Sequence, residues 1–90
     1  MNITGVRTEN MTSAAGNKVA NQFIITVGGY EYFQSYKTVI ACRGGGKLRL
    51  DPDWDYSNTT RKYLYQFTGM NRKEIEAGIK SGAITIENLN

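Results

Sequence analysis

The chain has 90 residues, 40% hydrophobic and 21% charged, a composition that suits one globular domain and excludes a disordered chain. A net charge of +3 excludes an acidic nucleic-acid mimic. There is no histidine and one cysteine, Cys42, so the commonest general base is missing and no internal disulfide can form. The lone thiol and the lack of an apolar leader predict a reducing, cytoplasmic setting, and no stretch approaches the roughly 20 apolar residues that span a bilayer.

Residues 1–20, "MNITGVRTENMTSAAGNKVA", hold only Ile3, Val6, Met11 and Val19 as large aliphatic side chains. They predict a flexible arm with at most one short strand, ahead of a single folded domain over 21–90. "QFIITVGGYEYFQSY" predicts a hairpin, because two β-rich runs flank Gly28-Gly29, where a two-residue turn needs positive φ. That turn pairs Val27 with Tyr30, Ile25 with Tyr32 and Phe23 with Gln34. Phe23, Ile25, Val27, Tyr30 and Tyr32 then share one face, and their bulk marks it as the core side. Ile24, Thr26, Glu31, Phe33 and Ser35 take the other.

A corner at "SYK" leads to a third strand, "KTVIACR"; glycines 44–46 turn the chain into a fourth, "KLRLD". "SNTTRKYLYQFTG" reads as a helix, with Thr60, Tyr63, Leu64 and Phe67 as its apolar stripe and Gly69 as its stop. A second helix starts at Asn71, which forms a capping box with Glu74; Met70 and Ile75 make a hydrophobic staple, and Gly82 ends it. "AITIENLN" is a short terminal strand or tail. Strands followed by helices predict an α+β domain: a three- to four-stranded antiparallel sheet with two short helices packed on one face.

In "LDPDWDYSNTT", Asp51, Asp53 and Asp55 have the spacing of a calcium loop. Tyr56 stands where the loop needs glycine, however, and Lys62 where it needs glutamate. The stretch reads instead as a strand-to-helix corner: Pro52 stops the strand, Asp55 or Ser57 caps the helix, and Trp54 and Tyr56 lock Asp55 against the core. "CRGGGK" lacks the first glycine and the final Ser or Thr of a phosphate loop, which leaves a hairpin turn. Cys42 has no histidine to activate it. With no convergent acid, base and nucleophile, the chain reads as non-enzymatic and without a cofactor. Between Lys37 and Leu50 there are four basic residues and no acid. With a neighbouring tyrosine they form the candidate binding strip: Tyr36, Lys37, Arg43, Lys47 and Arg49. Tyrosines among basic residues suit a protein hot spot or a single-stranded nucleic acid.

"FQSYKTVIA" and "LDPDWDYSNTTRKYLYQFTG" together resemble a small family of domains of unknown function found in phages and prophages, often of Gram-positive hosts. The resemblance covers about residues 21–90 and implies a context, not a reaction: an accessory phage protein in a bacterial cytoplasm. It points to a protein that binds a host protein or defence complex, such as an anti-CRISPR inhibitor. A nucleic-acid-binding accessory protein and an oligomer that binds a signal nucleotide are the alternatives.

Overall fold

The computed structural model describes residues 6–90. Gly28 and Gly29 both adopt positive φ, 56° and 84°. Their turn sets β2 (Lys18–Val27) against β3 (Tyr30–Ser35) in the expected register, with Val27 opposite Tyr30, Ile25 opposite Tyr32 and Phe23 opposite Gln34. The corner after Ser35 is made by Tyr36, a non-glycine residue at φ 57°. Such a left-handed conformation costs about 1–2 kcal/mol. It is pinned on both sides: the Tyr36 N–H donates to the Asn21 carbonyl at 2.7 Å, and Gln34 Nε2 donates to the Tyr36 carbonyl at 2.8 Å. β4 (Thr38–Gly44) and β5 (Lys47–Leu50) follow, with a register shift in the β3–β4 ladder after Phe33.

Two further strands correct the expected count. β1 (Arg7–Thr12) pairs with β2, from Arg7 opposite Thr26 to Thr12 opposite Lys18. Ordered pairing thus starts well before residue 21; residues 1–5, Ile3 among them, lie outside the described residues. β1 is a polar edge strand held by backbone bonds, and its Met11 alone is buried, so alternation could not reveal it. β6 (Ile84–Ile86) lies parallel to β5, with Leu48 opposite Ile84. The chain reaches it through both helices, a crossover long enough to return it in the same direction as β5. The sheet is therefore six-stranded and mixed, in the order β1-β2-β3-β4-β5-β6, rather than three- or four-stranded and antiparallel.

α1 (Asn58–Thr68) begins at Ser57, whose side chain accepts from the Thr60 N–H, and ends at Gly69; its buried residues are Thr60, Tyr63, Leu64 and Phe67. α2 (Arg72–Ser81) carries the Asn71–Glu74 capping box, ends at Gly82 and buries Ile75. Both helices contribute to one core with Met11, Phe33, Ile40, Ala41, Leu50 and Ile84 from the sheet. The Phe33 and Phe67 rings stack with centroids 5.9 Å apart.

The buried face of the hairpin is the opposite of the one its apolar count suggests. Phe33 points to the helices and is fully buried. Strand alternation then places Gln22, Ile24 and Ser35 beneath them and turns Phe23, Ile25, Val27, Tyr30 and Tyr32 outward. On the inner face the Ser35 and Thr60 hydroxyls meet at 3.1 Å. Gln22 is only 1% exposed, and its amide has no hydrogen-bond partner among the described residues.

α2 reaches the sheet closely because residue 78 has no side chain. A Cβ on Gly78 would lie 2.5 Å from Ile84 Cδ1 and 2.8 Å from its Cγ1. Gly→Ala in an open helix adds about 1 kcal/mol of stability, whereas overpacking costs about 1–3 kcal/mol. Chemical denaturation should show Gly78→Ala less stable than the parent; a gain of about 1 kcal/mol would mean that α2 and β6 are not in contact there.

Candidate functional site

The β4–β5 ladder sets Arg43 opposite Leu48, Cys42 opposite Arg49 and Gly44 opposite Lys47. Alternation therefore splits the basic strip. Arg43 goes to the helix side and is used by the fold. Its Nε and Nη2 donate to Glu31 Oε1 at 3.1 and 2.7 Å, its Nη1 donates to the Phe67 carbonyl at 2.6 Å, and its guanidinium lies 4.3 Å from the Phe67 ring centroid. Arg43 thus clamps the last turn of α1 to the sheet. Tyr36 and Lys37 sit exposed at the β3–β4 corner, at the far end of β4 from Lys47. Of the five candidate residues, only Lys47 and Arg49 come together.

Those two border the open face of the sheet. Phe23, Ile25, Val27 and Tyr32 are half-buried there without belonging to the core, and Tyr30 is exposed. The Tyr30 ring lies flat over Gly44, where any Cβ would overlap it; this glycine lets the aromatic surface extend across β4. The Arg49 guanidinium stands 5.9 Å from the Tyr30 ring centroid, its Nη2 donates to Cys42 Sγ at 3.5 Å, and its Nη1 is 3.9 Å from Glu87. Tyr32 faces Cys42 across the β3–β4 ladder, and the neighbouring thiol pushes the phenol pKa up. The face is thus an apolar and aromatic strip on β2 and β3, ending in Lys47 and Arg49 on β5. Sequence reasoning found these apolar residues but assigned them to the core.

The acidic stretch is a corner. Pro52–Asp55 forms a 3₁₀ turn capped by Asp51, whose side chain accepts from the Asp53 N–H at 3.0 Å. The buried Asp51 carboxylate also accepts from the Leu89 N–H at 2.9 Å and Asn90 Nδ2 at 3.0 Å, which ties down the chain end. Burial pushes the Asp51 pKa up, but these three donors together outweigh it and hold it below the ordinary carboxylate value. Asp55 is fixed by Arg72 and Arg61, at 2.7 Å each; the Arg72 hydrogen bonds, foremost, hold its pKa down. Trp54 packs on the core, but Tyr56 does not lock Asp55 as the sequence suggests: it is 81% exposed. No helix among the described residues is long and apolar enough to cross a membrane.

The family model described as "Family of unknown function (DUF8033)" matches residues 6–84, and the chain belongs to that family. No curated protein and no solved structure matches it.

Asp51 and Asp55 make stability depend on pH in one direction. Their folded pKa values are depressed, so their contribution is present above the ordinary carboxylate pKa and is lost as pH falls through the depressed folded values. Asp51→Asn keeps the shape but turns an amide donor toward donors, at a cost of about 1–3 kcal/mol near neutral pH. Urea unfolding at neutral and strongly acidic pH should show a smaller acid loss in the variant than in the parent. Equal acid losses would remove Asp51 from the account.

Proposed function

We propose that this DUF8033 member is a non-enzymatic accessory protein that docks on a host protein or complex through the open face of its sheet. The observation that carries this reading is the five-residue strip of Phe23, Ile25, Val27, Tyr30 and Tyr32, which the helices leave uncovered. Aromatic anchors flanked by arginine are the material of protein hot spots. Lys47 and Arg49 at the border favour a partner whose apolar patch carries acidic residues at its edge, and they would mainly speed association. The resemblance of segments 33–41 and 50–69 to phage and prophage domains supports a bacterial cytoplasm as the setting and a defence complex as the target, with the protein as its inhibitor.

A second reading draws on the same face. Phe23, Tyr30 and Tyr32 offer stacking surfaces beside two cations, as single-stranded nucleic-acid platforms do. It is weaker here, because Arg43 is engaged in the helix clamp and Lys37 lies at the far end of the strand. Lys47 and Arg49 together give a log–log salt slope of only about −1.4, and Arg49 is shared with Glu87.

Affinity capture from host lysate, quantified by mass spectrometry, tests the proposal with three baits: the parent, Ile25→Glu and the helix-side Lys73→Glu. The expected result is a partner retained by the parent and Lys73→Glu and lost by a folded Ile25→Glu. Equal capture by all three would place the interface elsewhere. Fluorescence anisotropy with a labelled 20-mer at about 50 and 200 mM salt addresses the second reading. Micromolar binding that disappears in Lys47→Glu, Arg49→Glu would overturn the protein-partner reading.

A further inference from the structure

On the helix side of the sheet, where the β3–β4 corner meets the 3₁₀ turn and the start of α1, lies a cleft of about 330 Å³. Every residue lining it comes from segments 33–41 and 50–69. Its size is at the lower end of small-ligand sites. Tyr36 and Tyr56 border it and are the two most exposed tyrosines of the chain, at 59% and 81%. Ser35 and Thr60, both buried, also line it; their hydroxyls bond to each other, and Ser57 Oγ donates to Thr60 Oγ1.

The formal charge lining the cleft has one sign. Its only formally charged lining residue is Asp53, which makes no ion pair among the described residues, while Asp51 and Asp55 on either side are fully engaged. No lysine or arginine lines it. Of the amides at the helix start, the Thr60 N–H is already bonded to Ser57. A carboxylate, hydroxyl oxygens and two tyrosine faces all attract positive charge, and a planar cation gains most from stacking.

Tyr36 supplies an independent pointer. It is held in a left-handed conformation that glycine or asparagine would adopt at less cost, yet most of its ring is in solvent, where packing returns little. Strain without a packing return is characteristic of ligand clamps.

We propose that this cleft binds a guanidinium group, stacked against Tyr36 and Tyr56, paired with Asp53 and donating to the hydroxyls beneath. The site lies on the opposite side of the sheet from the docking face and stands or falls separately from it. The group can come from an arginine side chain of a protein or from a free small cation, and the chemistry of recognition is the same.

Isothermal titration of the whole chain with Nα-acetylarginine amide, agmatine and the neutral isostere Nα-acetylcitrulline amide tests it. The expected result is saturable binding of the arginine probe with a Kd of about 1 mM or tighter, and at least about tenfold weaker binding of the citrulline probe. Asp53→Asn and Tyr56→Ala should each weaken the arginine probe by about tenfold or more. Tyr36→Gly should do the same while melting no lower than the parent. Tighter binding of agmatine would assign a free cation as the source, and tighter binding of the capped amino acid a protein-borne arginine. The absence of saturable binding, equal binding of the citrulline probe, or parent-like binding by all three variants would overturn the assignment. A Tyr36→Gly variant that melts well below the parent would show that the ring serves the fold and would remove the strain argument.

Discussion

Phe33 against Phe67 is the contact from which the rest of the arrangement follows. A strand residue cannot turn inward without turning its neighbours outward. Once the Phe33 ring is stacked on α1, Tyr32 must face away from the helices, and the Gly28-Gly29 turn carries that decision across to Ile25 and Phe23 on β2. The β4 ladder extends it further: Ala41 and Arg43 fall on the helix side and Cys42 on the other, which in turn sets Arg49 outward. One aromatic pair thus fixes both which residues make the core and which residues are left on the open face.

Local signals were the legible part of this fold. The two-glycine turn fixed the hairpin register, and the Ser57 and Asn71 caps with Gly69 and Gly82 marked both helices. These depend on a few neighbouring residues and backbone geometry that side chains cannot easily override. The buried face of the hairpin was not legible. Counting apolar residues favours Phe23, Ile25, Val27, Tyr30 and Tyr32, yet the core chose Ile24 and Phe33 because the helices supply Tyr63, Leu64, Phe67 and Ile75 opposite them. A short strand was allowed for in residues 1–20 and at the end, but not its pairing: β1 is a polar edge strand held by backbone bonds, and the parallel partner of β6 is set by a crossover.

The candidate strip is divided by the same alternation that sets the face. Lys37, Arg43, Lys47 and Arg49 are close in sequence, but a hairpin distributes them over two faces and two ends. Arg43 became a structural clamp on Glu31 and the Phe67 carbonyl. What remains outward is richer in apolar residues than in charge. The helix side has a different character. Asp51 and Asp55 are absorbed in holding the chain end and the two helices, while Asp53 between them is left beside two exposed tyrosines.

That Phe33 faces the core and Ile25 the open face is tested by one paired measurement: denaturant unfolding of Phe33→Ala and Ile25→Ala. Emptying a fully buried phenylalanine site costs about 3–5 kcal/mol, whereas an open-face strand position should cost about 1 kcal/mol. The account predicts that order, with a gap of at least about 2 kcal/mol, the difference between those two ranges. Equal costs, or a larger loss from Ile25→Ala, would contradict it.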